Sequence, residues 1–473
     1  MTLVICADHG TPAPSSTDGA YDTVGVKGLC SDPSALAKAG LTNPEAFILH
    51  TGEYDLGFVQ GAIRKAGVDP LGVPVVTLAD MPSETELQIV GAGIVARRRA
   101  FPGAGPENAK LSWPELISRR KLFALKVPQY IVAPSIDPTL CAAGHGCRLC
   151  VESCPAEALT PVDGAISYSV DACVSCGICT TTCPTGATTN PAATPGQVAA
   201  QISAMVATAD EPIGVRFHCR DAQPKAFGDS WYPIEVPCTG MLTVGWLLAP
   251  LLLGVGAVTA SPCTGSGCEL GNDDRLKDHC SEAAGICTEL GIGADRVRLA
   301  QQGRVPIPVG QIPAEAVGTM RDTDVFMALT TMTSSNAVSI GTSAGAAGIV
   351  TLHEESCTLC EQCTTVCPPN ALKVNRSDGS IEITFDPRLC VGCSMCIATC
   401  PEIEKGALTL DRRFDSDALT VGRHVARTGS TATCEKCGDP IAPSAMLGRI
   451  QSMLGPEHAG TLDLISRRCI SCR

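Results

Sequence analysis

Aromatic residues are scarce, at 4% of 473 positions. Few side chains can stack on bases, which excludes a single-stranded nucleic-acid platform. Basic charge is also in deficit. The net charge of −13 repels phosphate backbones and excludes nucleic acid as a partner. No nucleotide-binding glycine loop, serine–histidine pair or nickel-site motif occurs, so no catalytic residue is legible. GAGIVA at 91–96 lacks the G-x-G-x-x-G pattern and its strand–helix setting. The opening MTLVICADHG lacks the basic stretch and apolar core of a signal peptide, so a reducing cytoplasm is the expected location.

Charge is missing altogether from MLTVGWLLAPLLLGVGAVTA at 241–260, which is long enough to span a bilayer. Pro250, Gly254 and Gly256 interrupt it, and Cys238 and Cys263 lie just outside its ends. If those cysteines share a metal, the run must fold back on itself. The expectation is a buried helix near 241–253, a turn, and a buried strand near 255–260, with no membrane span.

Cysteine, by contrast, is abundant: there are 28. They cluster in C-x2-C spacings, which suit metals better than disulfides. Two blocks, 141–183 and 357–400, form an internal repeat. Three runs are regular: CVSCGICTTTCP at 173–184, CTLCEQCTTVCP at 357–368 and CVGCSMCIATCP at 390–401. In a C-x2-C-x2-C-x3-C-P run, three thiolates wrap one cluster and the cysteine before proline ligates the other. The crossing predicts four [4Fe–4S] sets. Cys357, Cys360, Cys363 and Cys400 form one, and Cys390, Cys393, Cys396 and Cys367 another. In the first block, Cys173, Cys176, Cys179 and Cys154 form a third. Zinc would not need three closely spaced cysteines with a Cys-Pro crossing.

The fourth run, CAAGHGCRLCVESCP at 141–155, has Gly144 where its first cysteine belongs. Cys147, Cys150 and Cys183 therefore need one more ligand. Cys141 is expected, because its lead-in IDPTLC parallels FDPRLC at 385–390. Gly144 and Gly146 would let the longer loop close. His145, or a three-iron cluster without a fourth ligand, is the alternative.

Both blocks resemble the two-cluster bacterial ferredoxin domain, which carries single electrons and has no substrate chemistry of its own. The middle region reads as α/β, with a helix over PGQVAAQISAMVATAD and strands over IGVRFHC, PIEVPC and DRVRLAQ. Its Cys219, Cys238, Cys263 and Cys268 fall near strand ends, where loops converge. Cys238-Thr239-Gly240, Gly256-Ala257, the C-x4-C pair Cys263/Cys268 and Gly271-Asn272 resemble the delta subunit of the methyl-viologen-reducing hydrogenase. That resemblance implies a [2Fe–2S] cluster on Cys219, Cys238, Cys263 and Cys268. Cys280 and Cys287 are expected to be plain thiols.

The N-terminal region reads as α/β, with strands over TLVICA, EAFILHT and VPVVTL and helices over 32–40 and 58–67. CSDP at 30–33 and HTGEYDLGFVQGAIRKAGVDP at 50–70 resemble the first domain of the heterodisulfide reductase A subunit. With only Cys6 and Cys30, and His50 near an expected cysteine position, the domain is expected to have lost its cluster. That subunit's flavin domain is absent, as is the Cys-Cys-Gly motif of the heterodisulfide-reducing subunit.

Near the end, CEKC at 434–437 and CISC at 469–472 resemble a zinc ribbon. Zinc is expected on Cys434, Cys437, Cys469 and Cys472, and a rubredoxin-like iron would use the same ligands.

The expected architecture is α/β plus α+β and multidomain. It comprises an α/β domain (1–85), a connector (86–135), a ferredoxin domain (136–192), a delta-like domain (193–350), a second ferredoxin domain (351–414) and a zinc-ribbon module (415–473). Four [4Fe–4S], one [2Fe–2S] and one zinc would use 24 of the 28 cysteines. The expected function is electron transfer within a larger cytoplasmic oxidoreductase. Partners would be hydrogenase, formate dehydrogenase, flavin or heterodisulfide reductase-like subunits. The alternative is part of a flavin-containing, electron-bifurcating or NAD(P)-linked enzyme, with flavin on a partner or at an interface. The basic groups at 97–99 and 119–121 are either solvated or a grip for an acidic partner.

Overall fold

A computed structural model describes residues 2–6, 21–29, 35, 39, 46–49, 63–64, 72–77, 83–101, 103, 109–112, 129–219, 230–262, 270, 273–300, 306–308, 320–331, 337–342, 347–377, 379–454 and 458–472. Two compact units divide the chain. One comprises residues 1–141 and 149–328, the other residues 142–148 and 329–473.

The first unit opens with β1 (Thr2–Cys6), β2 (Asp22–Val26), β3 (Ala46–Leu49) and β4 (Val75–Thr77). They form a parallel sheet in the order β2-β1-β3-β4. Leu3, Val4, Ile5 and Cys6 are all buried, as a parallel strand covered on both faces requires. The helices expected at 32–40 and 58–67, with Cys30 and His50, lie largely outside the described residues.

The stretch expected as a connector carries a buried helix. α1 (Glu84–Arg99) starts with a capping box: the Glu86 amide donates to Ser83 Oγ over 3.2 Å, and the Ser83 amide donates to Glu86 Oε2 over 2.7 Å. Leu87, Ile89, Val90, Ile94 and Val95 are buried. Arg97 is buried too, and donates to Gln201 Oε1 (3.0 Å), Glu235 O (2.9 Å) and Ala192 O (3.1 Å). In sequence the Arg97-Arg98-Arg99 cluster reads as a solvated face or a grip for an acidic partner, because the acceptors of Arg97 lie about a hundred residues away. Arg98 instead lies over the Phe101 ring. Strands β5 (Ala109–Ser112) and β6 (Gln129–Val132) form an antiparallel pair, and 119–121 lie outside the described residues.

The first cysteine block holds β7 (Ser135–Ile136), α2 (Leu149–Glu152), the hairpin β8 (Leu159–Val162) and β9 (Ala165–Tyr168), α3 (Ile178–Thr182) and β10 (Thr188–Thr189). β10 returns antiparallel to β7. α4 (Pro195–Thr208) follows, capped by Thr194 with Pro195 at its first position. It packs on α1, where a Cβ on Gly93 would lie 2.5 Å from Met205 Cγ.

Next come β11 (Gly214–Cys219) and β12 (Trp231–Val236). The uncharged run folds back as expected, into the wholly buried α5 (Val244–Leu252) and β13 (Ala257–Ala260). Gly254, at φ 97°, makes the turn. α6 (Asp273–Glu289), β14 (Val297–Leu299) and α7 (Asp322–Thr330) follow, and the unit ends within α7. The sheet is parallel, in the order β12-β11-β13-β14. Among the described residues, no helix is long and apolar enough to cross a membrane.

The second unit contains β15 (Ser339–Gly341), β16 (Ile349–Leu352), α8 (Gln362–Thr365), β17 (Leu372–Ser377), β18 (Ser380–Phe385), α9 (Met395–Thr399), β19 (Leu408–Asp411) and β20 (Arg413–Asp415). α10 (Ser416–Val421), β21 (His424–Thr433), β22 (Pro440–Pro443), α11 (Ser444–Met453) and α12 (Ala459–Arg467) follow. Neither expected boundary is a seam. β15 and β16, placed before 350 or across it, pair with β20 and β19. β21, placed in the C-terminal module, pairs with β18 in the sheet β17-β18-β21-β22. Strand pairing joins segments that cysteine spacing had separated.

Candidate metal centres

The three regular runs share one backbone conformation. The residues on either side of the middle cysteine are left-handed: Ser175 and Gly177 around Cys176, Leu359 and Glu361 around Cys360, Gly392 and Ser394 around Cys393. For a non-glycine residue this conformation costs about 1–2 kcal/mol, so the surroundings must hold it. The conformation turns amides toward sulfur. The Ser175 amide donates to Cys173 Sγ over 3.3 Å, and the Leu359 and Gly392 amides serve Cys357 and Cys390. The Ser175 hydroxyl also donates to Val132 O, fastening the run to β6. Cysteine spacing contains no signal for these donors.

Two cavities are each lined by four cysteines. In the first unit, Cys154, Cys173, Cys176 and Cys179 line one cavity, with Leu159 and Tyr168 in its wall. In the second unit, Cys357, Cys360, Cys363 and Cys400 line another, walled by Leu352 and Ile383. A third group is evident electrostatically, since Cys390, Cys393, Cys396 and Cys367 act on one another. Burial, then the neighbouring cysteines, push Cys179 and Cys363 far above the ordinary thiol value, and Cys396 to about 12. Burial and neighbouring sulfurs disfavour the thiolate form of these three, and a bound cation would offset that. All-sulfur donors with amides aimed at them fit an iron–sulfur cluster.

The irregular run keeps several features of the regular ones. Gly146, before Cys147, is left-handed at φ 88°. The Cys141 amide donates to Asp137 O over 3.1 Å, as Cys173 does to Ser169 O (3.1 Å) and Cys357 to His353 O (2.8 Å). Asp137 caps its turn through the Thr139 amide at 2.8 Å, as Asp386 does through the Arg388 amide at 3.2 Å. The Asp137 amide donates to Ala187 O, four residues past Cys183, and the Asp386 amide to Ala371 O, four past Cys367. The two DP-x-L-C lead-ins thus share the aspartate cap and the return bond, although the Cys390 amide donates to Pro387 O (3.2 Å) where the Cys141 amide donates to Asp137 O. Burial opposes ionisation of Cys183, but hydrogen bonds from Thr185 and Thr188 prevail and lower its thiol. His145 is exposed, at the end of the 3-10 turn Ala142–His145.

In the middle sheet, β11 ends at Cys219, and Cys238 stands two residues past the end of β12. Both lie at the carboxyl edge of parallel strands, where ligand-carrying loops gather. The Gly240 amide donates to Cys238 Sγ over 3.3 Å. β13 points toward the same edge, but Cys263 and Cys268 lie outside the described residues. Cys280 and Cys287 are buried on α6, and burial raises each to about 12, so they are core thiols as expected.

At the C-terminus, the Sγ atoms of Cys434, Cys437, Cys469 and Cys472 all lie within 4.8 Å of one another. Gly438, at φ 78°, closes the first knuckle, and the Cys434 amide donates to Asp439 O over 2.8 Å. The Cys469 amide bonds Cys434 and, with other amides, lowers its thiol to about 6, while Cys437 is raised. Four sulfurs this close together fit a single tetrahedral metal.

Comparison with known proteins agrees with this geometry. A family model described as a 4Fe-4S dicluster domain matches residues 143–188, and a second with that description matches residues 356–403. The family described as methyl-viologen-reducing hydrogenase, delta subunit, matches residues 225–309. Cys141 and Cys219 lie ahead of the matched stretches. The B subunit of polysulfide reductase from Wolinella succinogenes is 49% identical over 51 residues, 10% of this protein and 25% of that one. The match thus spans about a quarter of the length of that relative. The protein carries two 4Fe-4S dicluster domains and, between them, a domain like the delta subunit of the methyl-viologen-reducing hydrogenase.

Proposed function

We propose that the protein is an iron–sulfur electron-transfer subunit of a larger oxidoreductase complex. The observation that carries this reading is the pair of cavities, each lined by the four cysteines of one crossed set. The clusters would supply one-electron redox chemistry when bound. The protein's own part is to hold thiolates, aim amides at sulfur and exclude water.

Cys357, Cys360, Cys363 and Cys400 would hold one [4Fe–4S] cluster, and Cys390, Cys393, Cys396 and Cys367 the next. Cys173, Cys176, Cys179 and Cys154 would hold a third, and Cys141, Cys147, Cys150 and Cys183 the fourth. The matching lead-in turns favour Cys141 over His145. A [2Fe–2S] cluster would use Cys219, Cys238, Cys263 and Cys268, and zinc would use the C-terminal four. The N-terminal domain, of heterodisulfide reductase A type without its cluster, would serve assembly.

The subunit works in the cytoplasm, between a hydrogenase, formate dehydrogenase, flavin or heterodisulfide reductase-like donor and an acceptor. The delta-like domain is one docking port. The likeness to the B subunit of a reductase supports a place among other redox subunits.

Iron, sulfide and zinc analysis of the anaerobically purified protein tests this. About 18 irons and one zinc are expected from the cluster inventory. A preparation holding mostly zinc, with no four-iron signals, overturns it.

A further inference from the structure

Two prolines follow Cys367, the crossed ligand of its set. Pro368 and Pro369 carry no amide hydrogen, so neither can donate to the sulfur. At Cys400 the amide two residues on, that of Glu402, serves the sulfur; at Cys367 that position is Pro369. Donors to Cys367 Sγ come instead from the amides of Asn370, Ala371 and Leu372. The turn that presents them closes where the Asn370 amide donates to Cys367 O (3.1 Å), with Asn370 left-handed at φ 54°. The first ferredoxin domain builds the same turn after Cys154. There the Glu157 amide donates to Cys154 O (3.2 Å), Glu157 is left-handed at φ 49°, and the Ala158 amide donates to Cys154 Sγ (3.3 Å).

After Cys367, one arginine spans the carbonyls of this turn. Arg423 stands between α10, which ends at Gly422, and β21. Its Nη2 donates to Asn370 O (3.0 Å), and its Nη1 donates to Ala371 O (3.2 Å) and to the Thr384 hydroxyl (3.2 Å). Its Nε lies 3.7 Å from Asp386 Oδ2. Asp386 is buried, binds Arg388 Nε and Nη2 at 2.8 Å each, and donates its own amide to Ala371 O (2.9 Å). The guanidinium therefore grips the carbonyls of the same two residues whose amides point at the sulfur. A planar fork holds several acceptors in fixed directions, which a compact ammonium cannot match. The Arg423 side chain is 28% exposed, so solvent screens its charge and the hydrogen bonds carry its effect. Amides aimed at a sulfur favour the reduced, more anionic cluster, so their placement bears on its potential.

We propose that Arg423 is a positioning residue for the cluster held by Cys390, Cys393, Cys396 and Cys367. By fixing the turn after Cys367 it keeps the amide donors of that sulfur in place and holds the reduction potential of the cluster up. The inference rests on the electron-transfer reading above. The cluster takes up one electron from a reduced site, which loses one, and no bond or proton moves.

The test is a potentiometric titration of the full-length protein, followed by EPR, on wild type, Arg423→Gln and Arg423→Lys. Cys393→Ser identifies the signal of this cluster by its loss. Arg423→Gln should keep its iron and lower the reduced-to-oxidised ratio of the cluster about tenfold at fixed potential, or about 59 mV for one electron. Arg423→Lys keeps the charge but not the fork, so it should lower the potential of the same cluster by a smaller amount. An unchanged or raised potential in Arg423→Gln, or an equal shift in every cluster, overturns the proposal. So does a wild-type potential in Arg423→Lys, since charge alone would then suffice. If Arg423→Gln does not fold or loses the cluster, Arg423→Lys decides: a lowered potential supports the proposal and an unchanged one overturns it. A wild type without four-iron signals would instead overturn the electron-transfer reading itself.

Discussion

Leu359 fills the space that Gly429 leaves on β21, and a Cβ on Gly429 would overlap its Cδ1. Leu359 holds the left-handed conformation between Cys357 and Cys360 and is buried in the second ferredoxin core. The C-terminal strand thus helps shape the loop around a cysteine set 30 to 70 residues earlier. Gly429→Val should destabilise the second unit by about 1–3 kcal/mol through overpacking. It should also reduce iron retention there. Unchanged thermal unfolding and iron content would refute the coupling.

Cys141 is testable apart from its neighbours. Cys141→Ala should remove one four-iron signal and about four irons. His145→Ala should leave iron content unchanged, because His145 is exposed and its turn is held by backbone bonds. The reverse pattern would assign the ligand to His145.

Arg97 joins the expected connector to the rest of the first unit. Arg97→Ala strands the acceptors of Gln201, Glu235 and Ala192 without their donor. A loss of about 3 kcal/mol is expected from unsatisfied buried groups. A urea midpoint within error of wild type would contradict it.

Asp322 makes stability depend on pH. Burial raises its carboxyl from 3.8 to about 6, against opposing hydrogen bonds from Thr243 and Gly245. A raised acid binds more protons folded than unfolded, so stability falls as pH rises from about 4 to 6, by about 3 kcal/mol at most. Asp322→Asn removes that slope. The difference in urea midpoint between variant and wild type should therefore grow in the variant's favour from pH 5 to pH 7. A constant difference would show that Asp322 does not titrate in this window.

At the C-terminus, Cys437→Ser should remove one zinc and leave every iron–sulfur signal intact, as read by metal analysis and EPR. Four sulfurs this close share one ion, and three ligands hold it far more weakly. Simultaneous loss of a four-iron signal would mean the knuckles belong to a cluster.

The sequence by itself determined the chemistry. Cysteine spacing is local, so the runs able to wrap a cluster are legible in the sequence alone. The folding back of 241–260 was legible too, because Pro250 and two glycines break an otherwise uncharged run. Arg97-Arg98-Arg99 misled because a charged cluster carries no mark of acceptors lying about a hundred residues away. The seams at 350 and 414 misled because β16 and β21 find their partners, β19 and β18, only on folding. Ser175, Leu359, Glu361 and Ser394 give no hint of left-handed backbone, which their surroundings impose. Which cysteines can bind metal is a property of neighbouring residues. What surrounds each set, including the Met241 contact with Gly177 and the Leu359 contact with Gly429, depends on residues far apart in the sequence. Only the tertiary structure decides it.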